Sequence, residues 1–290
     1  MRGNVAESLA HTFGQIIGNV LEDALEPALR KFAADHGLYL DKKGVRPARK
    51  GKKVSWTDLY GNAHDLDFVL ERGGTDETIG TPVAFIETAW RRYTKHSRNK
   101  AQEIQGAIQV LALTHKYSCP FTGAILAGVF TEGALTQLKS LGFHLLFFPY
   151  ESILEAFKSV GVDAQFDEDT PEKEFRKKIS RWSALSKRVK RNVAAHLVRA
   201  RQKDMQTFFD ALDKTVTRRI EKIIVIPLHG QESEHPTVEA AIAFLASYQA
   251  TAVQGKVYKY EIHVRYTNGD KITAEFSGKD AAVEFLMKYK

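Results

Sequence analysis

Cysteine is almost missing from this chain: among 290 residues there is one, Cys119. A lone thiol excludes an internal disulfide and a thiolate zinc cluster. Long apolar runs are missing too. None approaches the roughly 18 residues that a membrane-crossing helix needs. The start, Met1-Arg2-Gly3-Asn4-Val5-Ala6-Glu7-Ser8, lacks the apolar core of a signal peptide. The expectation is a cytoplasmic protein with no membrane partner. Internal repeats and low-complexity segments are absent. Acid is in deficit, with 35 Asp and Glu against 42 Lys and Arg, for a formal net charge of +7. That excess favours a polyanionic partner.

The positive charge is unevenly spread. One block is Lys42-Lys43-Gly44-Val45-Arg46-Pro47-Ala48-Arg49-Lys50-Gly51-Lys52-Lys53, which reads as an exposed loop, either a solvated linker or a strip lying along phosphates. A second covers Trp90 to Lys100. The third spans 173–203, helical in pattern, with about a dozen cations from Lys173 to Lys203 and few acids spaced for i,i+4 pairs. Such contacts position a nucleic acid without reading its sequence.

Periodicity gives the elements. Leu9, Phe13, Ile16, Ile17, Val20, Leu21, Leu25 and Leu29 recur at helical spacing over about 5–36, with Pro27 as a point of kinking or division. Three strands follow, at Val54–Leu59, Asp65–Glu71 and Val83–Ala89. A helix from Ser97 to Tyr117, a strand from Phe121 to Phe130, a helix opened by Thr131 and a strand from His144 to Phe148 complete the run. The order predicts a mixed α/β sheet flanked by helices. Near the C-terminus, Tyr258–Tyr266 and Lys271–Phe276 alternate around Thr267-Asn268-Gly269-Asp270, a hairpin signal. The predicted domains are a core at 1–160, a basic helical segment at 161–222 and a small α/β module at 223–290.

The chemistry concentrates in two carboxylates, each inside a short apolar run. Asp67 precedes Phe68-Val69-Leu70, and Glu87 follows Ala84-Phe85-Ile86. If the two runs form a hairpin centred near Glu77, Asp67 falls opposite Glu87 and Asp65 opposite Ala89, with opposed residues roughly 5 Å apart. Like charges placed so need a cation or a proton between them. Carboxylate oxygens suit Mg²⁺. Asp65 is either a further ligand or a solvated neighbour. Glu22 and Glu26, on the first helix, could approach the site, with a surface role the favoured reading. His64 and His96 lie near but carry no ligand spacing.

This arrangement resembles the PD-(D/E)XK nuclease superfamily, which includes many type II restriction endonucleases, over roughly residues 5–150. The resemblance implies a restriction-endonuclease-like αβββαβ core and a Mg²⁺-dependent endodeoxyribonuclease, with Mn²⁺ as a substitute ion. Asp67 and Glu87 would hold the metal and Asp65 would assist. The partner would be double-stranded DNA, cut by a homodimer in a restriction or defence role. The alternatives are an inactive nuclease-fold DNA binder and a structure-specific or RNA nuclease. One departure stands out: the family's lysine falls at Ala89. Lys100, then Lys95, are the candidates to replace it, and Gln102 and Gln105 could orient water or phosphate. Arg91, Arg92, Arg98, Lys52, Lys53, Lys177, Lys178, Arg188 and Arg191 are the candidate DNA contacts.

Overall fold

A computed structural model describes residues 8–118, 120–228, 231–249, 257 and 259–290. Cys119 and Tyr258 therefore lie outside the described residues. The chain divides into two compact units, Met1–Leu212 and Asp213–Lys290.

The first unit opens with α1 (Leu9–Asp35), one continuous helix despite Pro27. Ser8 caps it by accepting a hydrogen bond from the His11 amide. Then come β1 (Leu38–Lys42), β2 (Val54–Thr57), β3 (Ala63–Leu66), β4 (Phe68–Arg72) and β5 (Thr81–Arg91). After these run α2 (Thr94–Thr114), β6 (Phe121–Gly128), α3 (Glu132–Ser140), β7 (His144–Pro149) and α4 (Tyr150–Lys158). The basic helices α5 (Glu172–Ser183) and α6 (Lys187–Ala200) follow, and α7 (Gln202–Val216) runs across the boundary between units. Helices α5 and α6 pack on α1 and so belong to this unit.

Five strands make a mixed sheet in the order β1-β4-β5-β6-β7. Strands β1, β4 and β5 are antiparallel neighbours, and β5, β6 and β7 are parallel. Side chains alternate along a strand, so each face needs its own cover. Val69, Phe85, Ala89, Ala124 and Leu126 bury one face against Ala101, Ile104, Ile108 and Leu111 of α2 and Leu138 of α3. Helices α1 and α4 also pack on the sheet. Gly128 marks where β5 and β6 end together. Its φ is +96°, and an added Cβ would lie 2.1 Å from the Arg91 carbonyl oxygen and 2.6 Å from the Trp90 ring. Only glycine meets both demands.

Two expected strands need correction. The first strand of the sheet is Leu38–Lys42, not Val54–Leu59. Residues 54–57 instead pair with 63–66 as a separate two-stranded ribbon. The expected strand Asp65–Glu71 is broken at Asp67 into β3 and β4. Asp65 therefore lies on the ribbon and does not oppose Ala89, whose partner across the parallel ladder is Leu126.

The basic loop is also less free than its composition suggests. Arg46 is 2% exposed and pairs with Asp41 at 2.9 Å and with Glu71 at 2.7 Å. It also donates to the carbonyls of Thr75 and Thr78. Arg49 donates to Asp41 and to the Lys53 carbonyl. These two cations staple the loop to the sheet, and the phosphate reading does not apply to them.

The second unit has β8 (Ile220–Pro227), β9 (Ser233–His235), α8 (Val238–Ser247), β10 (Tyr260–Tyr266), β11 (Lys271–Phe276) and α9 (Lys279–Met287). The sheet order is β11-β10-β8-β9, all antiparallel. The hairpin at Thr267–Asp270 forms as its sequence predicts, with Gly269 at φ +91°. Among the described residues no helix is long and apolar enough to cross a membrane.

Candidate active site

The register of β4 and β5 sets the site. Phe68 pairs with Ile86, Val69 with Phe85 and Leu70 with Ala84. The ladder ends at Phe68: Asp67 is the bend residue just beyond it, and its carboxylate bonds Thr88, the neighbour of Glu87. The one irregularity falls on the far side, between Leu70 and Glu71, and leaves this end in register. Asp67 occupies the bend between β3 and β4. The Thr88 amide and hydroxyl both donate to its Oδ2 at 2.7 Å. Two bonds to one oxygen fix the carboxylate's orientation.

Glu87 is 7% exposed, and no hydrogen bond reaches its carboxyl among the described residues. Burial pushes that carboxyl up to about 8, and the Asp67 charge adds to the shift. Lys100 opposes it, while Glu22 and Asp65 reinforce it. Glu22 is raised too, by burial first and then by Asp67. Three carboxylates from α1, the β3–β4 bend and β5 thus share one electrostatic field, opposed by Lys100 at Glu87 and by Lys43 and Lys42 at Glu22. A proton or an added cation is what balances such a group. Asp67, Glu22, Lys100, Thr88 and Ala89 line a cleft of about 630 Å³.

Lys100 and Lys95 separate clearly. Lys100 is 20% exposed, faces the acids and also reaches Glu103 at 3.4 Å. Lys95 is 59% exposed and pairs with Glu168. The Lys95 amine is thereby engaged away from the acids. Ala89 is 5% exposed and packs in the apolar cluster beneath α2. Asp65 is held by Lys53 at 2.6 Å and by the Ser55 hydroxyl, which keep its carboxyl below the usual range. Gln105 accepts from Gln137, and Gln102 is exposed. His64 is bonded to Asp58 at 2.9 Å, whereas His96 lines the cleft.

Glu22 is the residue that a local reading undervalues. Nothing near it in sequence marks it, but its face of α1 does. Gly14, Gly18 and Glu22 recur every four residues, and all three line the cleft. Thr88 was likewise not singled out by pattern, because its role depends on Asp67 across the sheet.

The candidate DNA contacts fall into two groups. Arg98, Lys52, Arg188 and Arg191 are exposed, with no ion pair among the described residues. Lys53 is 72% exposed while paired to Asp65, and Lys177 is 62% exposed while paired to Glu174. The others are held by the protein. Arg92 donates to the Phe166 carbonyl at 2.6 Å and lies over the Tyr150 ring. Arg91 is half-buried beside Glu103 and bonded to the Trp90 carbonyl. Lys178 is 8% exposed and pairs with Asp163 at 2.6 Å, so it faces inward, away from any duplex. The 173–203 segment also has more acid partners than its sequence suggested, since Glu172 and Glu174 serve Arg176 and Lys177.

Among the described residues no group of three His, Cys, Asp or Glu side chains is arranged to hold a metal ion. Compared with known proteins, the chain matches no protein-family model and no curated protein. One crystal structure, described as a "Protein of Unknown Function AF1548", aligns with 63% of this chain and 99% of its own. The identity is 11% and the TM-score 0.27.

Proposed function

We propose that this chain is a divalent-metal-dependent DNA endonuclease of PD-(D/E)XK type, serving restriction or defence. The observation that carries the reading is a buried Glu87 whose carboxyl has no hydrogen bond among the described residues, with the Asp67 charge raising its pKa and Lys100 opposing that shift. A surplus of carboxylate over ammonium around Glu87 fits a divalent cation. Two carboxylates, completed by phosphate and water, are an ordinary donor set for Mg²⁺.

Asp67 and Glu87 would hold Mg²⁺, or Mn²⁺ in its place, with Glu22 beside them. When bound, the ion polarises a phosphoryl oxygen and lowers the pKa of a coordinated water. Thr88 keeps Asp67 in one orientation. Lys100 takes the part of the motif lysine, steadying charge on the attacked phosphate. Its compact ammonium suits that task better than the guanidinium of Arg91. The exposed cations Lys52, Lys53, Arg98, Lys177, Arg188 and Arg191 supply contacts to the DNA backbone. Symmetric cleavage of a duplex would take two copies.

Ala89 favours a second reading, a DNA binder that keeps the nuclease fold without catalysis. Calorimetric titration with Mn²⁺ separates the two. A competent site binds the ion at pH 7 and releases about one proton from Glu87, seen as a buffer-dependent enthalpy. At pH 9 that release disappears. A silent fold shows no binding at either pH. Lys100→Met should lower cleavage by about a hundredfold or more while leaving Mn²⁺ binding in place. Equal cleavage by this variant would remove Lys100 from the chemistry.

A further inference from the structure

The cleft beside the acid pair extends past the residues that the phosphate chemistry uses. Along one wall α1 presents Gly14 and Gly18, leading to Glu22. Glycine is a poor residue for a helix interior, and close packing does not require either one. A Cβ at Gly18 would meet nothing within 4 Å. At Gly14 it would touch only the Trp90 indole, at 3.7 Å, an ordinary contact. What the two glycines do is keep the cleft open along the helix. The facing wall carries Trp90, Tyr93 and His96, with Lys100 toward the acids. Glu87 itself does not line the cleft, but its carboxyl, unbonded among the described residues, feels the charges of the cleft-lining Asp67, Lys100 and Glu22.

A space of about 630 Å³ lies in the range of single-ligand sites and is too small for a base pair with its two backbones. Aromatic faces beside cations are how proteins hold unpaired bases, and enzymes that act on one nucleotide draw it into a fitted pocket. We propose that this cleft receives one unpaired nucleotide of a DNA strand, so that the preferred substrate carries a single-stranded segment such as a tail, flap or frayed end. The nuclease reading supplies only the phosphate chemistry next to that nucleotide; the cleft itself is tested by binding.

The test uses fluorescence anisotropy in EDTA, with a blunt duplex, the same duplex bearing a single-stranded tail, and the single strand alone. Wild type should bind the tailed and single-stranded probes about tenfold more tightly than the blunt duplex. Gly18→Leu should close the cleft and bring tailed-probe binding down to the blunt level. The variant should also melt about 2–4 °C higher, because leucine is the better helix former, and the melt verifies the fold. Equal binding of blunt and tailed probes by wild type overturns the proposal. So does a folded Gly18→Leu that keeps the preference. Cleavage with Mg²⁺ tests the other reading separately. A tail preference without cleavage of any probe removes the nuclease and leaves the cleft assignment. Duplex cleavage unaffected by Gly18→Leu removes the cleft assignment and leaves the nuclease.

Discussion

Glu87→Gln should be more stable than wild type at alkaline pH, by on the order of 5 kcal/mol at pH 9. The carboxyl's pKa rises on folding from the usual 4.5 to about 8, because burial and Asp67 both disfavour its charge. The folded state therefore binds this proton more tightly than the unfolded chain does. The stabilisation is fully present below 4.5 and is lost progressively as pH rises through about 8. Glutamine keeps the shape, removes the charge and so escapes the loss. Urea denaturation across pH 5 to 9 should show the two curves close at the acid end, diverging steadily from about pH 5 and levelling off above about 8. Parallel curves throughout would mean that Glu87 is not buried as described. Mn²⁺ should narrow the gap by stabilising wild type alone, since a bound cation relieves the repulsion that the substitution removes.

Arg46→Ala should cost about 3–5 kcal/mol, the usual effect of removing one partner from a buried ion pair. Asp41, Arg46 and Glu71 are each no more than 2% exposed. Loss of the guanidinium leaves Glu71 with the Gly80 amide as its remaining bonded donor among the described residues. Asp41 keeps Arg49. The same change frees the carbonyls of Thr75 and Thr78 and removes the cation lying over the Tyr39 ring. Chemical denaturation measures the loss directly. A decrease under about 1 kcal/mol, the range of exposed pairs, would show that water already reaches the cluster.

How far the sequence reaches depends on whether a residue's partner is local. The register of β4 against β5 is legible because a hairpin's register follows from its turn, and Phe68↔Ile86 has the index sum that a centre at Glu77 requires. Helices α1, α2 and α3 of the first unit are legible because apolar spacing specifies them, whereas α4 is not among the expected elements. Strand β1 is not. It is five residues long and carries the inward Asp41, which breaks its pattern. That charge is tolerated only because Arg46 and Arg49 return to it from the following loop. For the same reason the loop reads as solvent-exposed when its two arginines are not. Lys178 repeats the lesson, since Asp163, which draws it inward, lies in a different part of the chain. Glu22 becomes part of the site through the packing of α1 on the sheet, and its i,i+4 alignment with Gly14 and Gly18 takes on meaning only there.

The most direct test of the proposed activity is incubation of plasmid DNA with wild type and Glu87→Ala in Mg²⁺, Mn²⁺ or EDTA. The acid pair predicts fragments that require the ion and are absent with EDTA and with the variant, while the variant still shifts DNA on a gel. Cleavage that survives Glu87→Ala, or wild-type binding without cleavage under either ion, would contradict it.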